Sequence, residues 1–312
     1  MARATFLLPA AARFGGQQAG ADLARALGRA DRAQAGGEGR RAQLRRHFRL
    51  TPDHWPMAAL TRQMDAGDAA GSGWLRADPS YVRPDINGAR LLAIGPALGM
   101  DEEDRAAFLP ALRPLFGDAG FPIDAPHPSR WYLRLPHGAK PPAFAEPDDA
   151  LGADLFDHLA EGSEGRRWRV LLGEAQVVLH NHPRNAQRAE RGRPPVNSLW
   201  FWGGGVLPDA VESTHAAFHS GDEMALALAD AAGIARPLPA EFGLGSGDEV
   251  FDLHEARDLA ALERDWLLPA RASLARGELR QLVLDLADGR GWALARGQRW
   301  RFWRRPLARL DA

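Results

Sequence analysis

Two observations predict an α/β fold. Strand-like and helix-like segments alternate along most of the chain, and an antiparallel group between about Trp74 and Arg134 interrupts that alternation. A simple doubly wound sheet has no place for such a group, so it reads as an insertion into an α/β domain. The 312 residues are enough for two domains.

Ala4 to Leu8 is the expected first strand and Ala21 to Arg29 a helix, with Leu23 and Leu27 four residues apart on one face. The glycine-rich stretch Ala35 to Gly39 breaks the pattern, and apolar periodicity resumes over Leu44 to Leu50. Asp53 is placed to cap a helix over Trp55 to Met64, whose Met57, Leu60 and Met64 share a face. Trp74 to Pro79 and Ala89 to Ile94 read as strands, with a turn at Pro84-Asp85-Ile86-Asn87-Gly88. An acidic first turn favours a helix over Asp101 to Phe116. Arg130 to Leu135 is a third strand, followed by a Pro- and Ala-rich connection from Pro136 to Pro147.

Further on, Asp154 to Gly173 predicts a helix, Ala175 to His180 a strand, and Asn197 to Trp202 another strand. Gly221 to Ala232 is an amphipathic helix, Glu249 to Leu253 a strand and Leu259 to Leu274 a helix. Leu279 to Leu286 and Gly291 to Arg296 form a hairpin across Asp288-Gly289, a favoured two-residue turn. The strands at Ala4 to Leu8 and Leu279 to Leu286 each need sheet neighbours, so both ends of the chain are expected in one sheet.

Composition narrows the chemistry. There is no cysteine, which excludes disulfides, thiolate nucleophiles and Cys-ligated metals, and leaves His and carboxylates as the available metal ligands. Lys+Arg 39 against Asp+Glu 40 argues against nucleic acid and membrane as partners. The apolar run Thr5 to Leu8 is cut short by Pro9, too short for a signal segment or a span, so a cytoplasmic protein is expected. Basic charge is nearly all arginine, a bias that GC-rich coding alone produces.

The densest chemistry lies in His180-Asn181-His182-Pro183-Arg184-Asn185, Arg188, and Pro195 through the triple glycine Gly203 to Gly205. Asn197 to Trp202 reads in two ways: a buried strand ending in a turn, or part of a cleft in which arginines and glycine amides meet a phosphate or carboxylate. If a helix follows Pro183, Arg184 and Arg188 share one face, and they either line an anion groove or pair with surface acids such as Glu190 or Asp209. His180 and His182 would share a face of a strand, but no third metal ligand is local. No Gly-x-Ser-x-Gly elbow, phosphate loop or Gly-x-Gly-x-x-Gly fingerprint is present. Arg76, Asp78, Arg83, Asp85 and Arg90 read as surface ion pairs, with Arg76 and Asp78 on one strand face. Arg299 to Arg305 interleaves Arg with Trp and Phe; it reads as a terminal strand whose Arg stems cover apolar surface.

The stretch His182-Pro183-Arg184-Asn185-x-x-Arg188-x-x-x-Gly192-Arg193-Pro194-Pro195-Val196-Asn197-x-x-Trp200-x-Trp202-Gly203-x-Gly205 resembles the segment HPxNxxRxxxGxxPANxxWxWGxG of archaeal-type cofactor-independent phosphoglycerate mutases. The similarity extends over about residues 74 to 235, which in those enzymes is an insertion over a phosphatase-like catalytic domain. It implies an alkaline-phosphatase-like sheet built from the N- and C-terminal segments, with residues 1–73 and 236–312 in that domain and 74–235 as the inserted α+β subdomain. The ligand-binding residues it implies are His182, Arg184, Asn185, Arg188, Asn197, Trp200, Trp202, Gly203 and Gly205.

The catalytic motifs of that family are not matched. Its Asp-Gly metal site would follow the first strand, where Leu7-Leu8 is followed by Pro9-Ala10-Ala11. Its serine nucleophile would fall near Thr51-Pro52-Asp53-His54, and its Asp-His motif where Ala287-Asp288-Gly289-Arg290 stands. His254-Glu255-Ala256 resembles one further metal segment. Over the whole chain the resemblance is to RpfE-type bacterial regulatory proteins, through Arg13-Phe14-Gly15 and Ala77-Asp78-Pro79. The expectation is a catalytically degenerate mutase-like protein that binds a small anionic ligand or a protein partner, with no cofactor and no metal. An active mutase or phosphoester hydrolase using Asp53, His54 and His254, and a pure protein-interaction module, are the alternatives.

Overall fold

Seven strands make a sheet that the two ends of the chain build together, in the order Ala235–Pro237, Ala217–Ser220, Asp248–Asp252, Ala2–Leu8, Leu279–Leu286, Arg290–Ala295 and Asp31–Gln34. The first five are mutually parallel, and the last two add antiparallel. The expected hairpin closes at Asp288-Gly289, where Gly289 takes φ 79°. Register puts Phe6 between Phe251 and Leu284, and Leu7 between Asp252 and Asp285. Side chains alternate along a strand, so the Phe6 face is apolar and the Leu7 face carries two acids.

The apolar face is covered by the helix Ala21–Arg29 and by a helical run from Leu259 to Arg276. Phe6, Phe251 and Trp266 meet edge to face there with centroids 5.6 to 5.8 Å apart. Pro269 has no N–H to give the carbonyl of Asp265. The helix widens to a π turn over Glu263–Leu267, and that carbonyl accepts from Phe242 N at 3.0 Å instead.

This computed structural model describes residues 2–34, 36–86 and 88–311, so the expectations for Ala35 and Asn87 lie outside the described residues. The chain divides into two units, Met1–Asp53 with Asp209–Ala312, and His54–Pro208. The boundaries thus fall earlier than 74 and 235 at both ends. The helix Met57–Ala66 packs with the second unit's strands, while Ala217–Ser220 and the helix Glu223–Ala231 belong to the sheet just described.

In the second unit Gly73–Asp85 pairs antiparallel with Gly88–Ile94, Arg130–Leu135 and Ser198–Gly205, and Ile123–His127 continues the sheet. Helices Glu102–Asp118 and Gly162–His180 supply Phe108, Leu112, Phe116, Trp168 and Leu172 to its core. Ala175 to His180 is therefore helix, not strand. Trp168, Leu171, Leu172, Ala175 and Leu179 recur at helical spacing on its buried face, and that packing overrides the local Val177-Val178 preference.

Three smaller expectations are also corrected. Leu44 to Leu50 splits into the end of a helix, Arg40–Arg45, and a strand, Arg49–Thr51. The helix after Asp53 has no side-chain cap, because Asp53 faces Arg45 instead. Arg299 to Arg305 is a 3-10 turn followed by irregular chain, and Trp300, Phe302 and Trp303 stand exposed. Among the described residues, no helix is long and apolar enough to cross a membrane.

Candidate functional site

In an open parallel sheet, ligands bind at the carboxyl ends of the strands. Here those ends carry Ser220, Asp252 and Asp285. The helix Arg40–Arg45 is anchored over them by Gln43, whose amide donates to the carbonyls of Leu8 and Asp285 at 3.0 and 2.7 Å. Arg40 pairs with Asp252 and lies 3.3 Å from Asp222. The Ser220 hydroxyl donates to Asp252 at 2.7 Å, and His254 Nδ1 lies 3.1 Å from the same carboxylate. On the other side of Leu7, Arg46 grips Asp285 with two nitrogens, at 3.0 and 2.6 Å. His47 Nε2 is 2.9 Å from Asp285, and its Nδ1 is 3.0 Å from His215 Nε2.

These contacts set the charges. Burial by itself would raise the Asp252 pKa, but His254 and Arg40 outweigh it and hold the carboxyl below its ordinary range. Asp285 is held low in the same way, with burial opposed by His47 and Arg46. Burial, with smaller contributions from His47 and Arg3, pulls His215 down to about 4, so its imidazole is neutral at neutral pH.

The donor set does not fit the divalent pair of a metal-dependent phosphoryl transferase. Such a pair needs carboxylates open to two cations about 4 Å apart. Each strand-end carboxylate here already carries a guanidinium, and a metal ion would have to displace Arg40 or Arg46. Among the described residues, no group of three or more His, Asp or Glu is placed to hold a metal. Arg40, Arg46, His47, Asp252 and Asp285 sit in no recognisable local motif. The available signal was an aspartate inside an otherwise apolar strand, as in Leu284-Asp285-Leu286.

Of the catalytic candidates, Asp53 is exposed and 3.2 Å from Arg45, while His254 bonds Asp252 and Glu255. No bond joins Asp53 to His254 among the described residues. His54 belongs to the other unit, where it faces Gly205.

The structure revises the expected anion groove. Pro183 does lead into a helix, Arg184–Glu190, and Arg184 and Arg188 share its inner face. Both guanidiniums meet Asp104, which is buried in the first turn of Glu102–Asp118: Arg184 Nε donates at 2.6 Å and Arg188 pairs with the other oxygen. Arg184 also reaches Asp101, Glu103 and Gln187, and Arg188 donates to the carbonyls of Pro194 and Leu98. Glu190 and Asp209 are not the partners.

The remaining polar residues of the run are tied down as well. Asn185 bridges Leu179 and Val196, and Asn197 makes both bonds to the backbone of Val82. Trp200 donates to the Ala145 carbonyl and Trp202 to Asp78, which also holds the buried Arg76. That pair is therefore interior, not surface. His182 packs on Phe108 at 4.7 Å, and burial lowers its pKa. These contacts fasten the unit together, and each of these side chains already has partners within it.

Gly203 and Gly205 serve packing too: a Cβ on Gly203, at φ 66°, would lie 3.2 Å from Ala58 N, and one on Gly205 2.8 Å from Pro56. Beside this run a groove of about 1000 Å³ stays open along Gly204 and Gly205, lined also by Arg134, His137 and Lys140.

No family model matches the chain. A stretch of 123 residues is 32% identical to a probable 2,3-bisphosphoglycerate-independent phosphoglycerate mutase of Geobacter sulfurreducens, covering 38% of this chain and 30% of that protein. Part of this chain is homologous to phosphoglycerate mutases. A second relative, the 2,3-bisphosphoglycerate-independent phosphoglycerate mutase of Methanosarcina mazei, is 39% identical over 62 residues, covering 20% of this chain and 16% of the enzyme. The homologous stretches thus span less than a third of those relatives' length. Among solved structures, the cofactor-independent phosphoglycerate mutase from Thermoplasma acidophilum aligns over 94% of this chain and 89% of its own, at 15% identity and a TM-score of 0.40. The PH0037 protein from Pyrococcus horikoshii aligns over 94% and 87%, at 13% identity and a TM-score of 0.47.

Proposed function

We propose that this chain is a mutase relative in which two-metal phosphoryl transfer has been lost, and that it acts as a regulatory or sensor protein for a small phosphorylated or carboxylate ligand. The observation that carries the reading is the guanidinium on each strand-end carboxylate, Arg40 on Asp252 and Arg46 on Asp285. A fixed organic cation neutralises the carboxylate as a metal would, but it offers no open coordination site to polarise a phosphoryl oxygen.

With Arg184 and Arg188 paired to Asp104, the reading puts the ligand in the groove beside Gly204 and Gly205, where Arg134 and Lys140 supply positive charge. Calorimetric titration with 3-phosphoglycerate tests the ligand, and a manganese-dependent mutase assay tests the chemistry. Binding that weakens at least tenfold in Arg134→Gln/Lys140→Ala, without turnover, is the expected result. Metal-dependent turnover by the unaltered protein overturns the reading.

A further inference from the structure

A second cationic site lies in the sheet-bearing unit, away from the strand ends. A cavity of about 190 Å³ is lined by Arg25, Arg29, Arg271, Arg296 and Arg299, with Asp22 as its one acid. The whole chain carries a net charge of −1, so this is a strong local excess. Asp22 pairs with Arg25, and Arg29 donates to the Arg299 carbonyl. The side chains of Arg271 and Arg296 make no hydrogen bond or ion pair among the described residues. Burial lowers the pKa of Arg271, opposed by the more distant charges of Asp22 and Glu263, so an anion beside it would relieve an unfavourable desolvation.

The floor is apolar, formed by Leu274, Ala275 and Leu294. At the rim Arg299 lies over the ring of Trp300, 4.9 Å from its centroid, and that ring is 66% exposed. Cations over an apolar floor, beside an exposed aromatic plane, match a ligand with a flat ring system and more than one negative charge.

We propose that this cavity binds a nucleoside polyphosphate, its phosphates on Arg271 and Arg296 and its base against the apolar floor and the Arg299–Trp300 face. The site is independent of the strand-end cluster and of the groove beside Gly204. Calorimetry with adenosine diphosphate, pyrophosphate and adenosine, together with Trp fluorescence, reads each part of the ligand. The expected order is adenosine diphosphate tightest, pyrophosphate weaker and adenosine undetectable, with at least a tenfold loss in Arg271→Gln/Arg296→Gln. If that variant fails to fold, Arg25→Gln/Arg299→Gln, which alters exposed side chains, should still weaken binding severalfold. No binding of adenosine diphosphate, unchanged affinity in the variants, or pyrophosphate binding as tightly as the nucleotide overturns the proposal.

Discussion

Both units hold arginine–aspartate pairs, and the pairs differ in how far water reaches them. In the inserted unit the side chains of Arg76 and Asp78 are 0% and 2% exposed, and those of Arg188 and Asp104 are both 0%. In the unit of the seven-stranded sheet Arg46 and Asp285 keep 17% and 11% and His254 keeps 20%, although Asp252 beside Arg40 is 0% exposed. A pair sealed from water cannot exchange its partner for a solute without stranding a charge, so it serves as a fastening. One with a wet edge can respond to ions, protons and ligands. The richest motif in the sequence therefore marks the fastening, while the responsive cluster comes from residues scattered between Arg40 and Asp285.

The largest expected effect comes from breaking a sealed pair. Asp104→Ala leaves Arg184 and Arg188 buried without their shared counter-charge and should cost about 3–5 kcal/mol in urea unfolding. If those arginines instead formed a ligand site, the same change would free them and raise anion affinity. Asp285→Asn, in the wetter cluster, should cost less, about 1–3 kcal/mol, because water can partly solvate Arg46 and His47.

Proton uptake gives a further test. His215 has a folded pKa lowered from 6.5 to about 4, so the unfolded chain takes up a proton first as pH falls. Its contribution is fully present above about pH 6.5 and is lost as pH falls through about 4, on the order of 3 kcal/mol. Urea midpoints measured across that window should show the slope, and His215→Asn should flatten it. At the small end, Arg90→Gln removes an exposed pair with Asp85 and should leave the melting temperature unchanged.

Local signals carried much of the fold. The Asp288-Gly289 turn, the acidic start at Glu102 and the alternation in Leu279–Leu286 each announce an element through neighbours in sequence. Ala175 to His180 was misread because its strand-like residues lie in a helix whose buried face is set by contacts from Phe121 and Phe201 to Trp168. The site was harder still. Asp252 and Asp285 come together only because both strands flank Leu7, and Arg40 reaches Asp252 across 212 positions. Arg184 and Arg188 were legible as a shared helix face, but nothing nearby in sequence shows that the face turns inward onto Asp104.

Arg40 and Arg46 pair with the two strand-end carboxylates, Asp252 and Asp285, which leaves neither open to a cation. Elemental analysis and manganese titration of the unaltered protein beside Arg40→Ala/Arg46→Ala test it directly. The account predicts no stoichiometric metal in the former, and in the latter at most weak manganese binding at a single carboxylate, since Asp252, His254 and Asp285 are not grouped to share one ion. About two divalent ions per chain in the unaltered protein, with both arginines present, would contradict it.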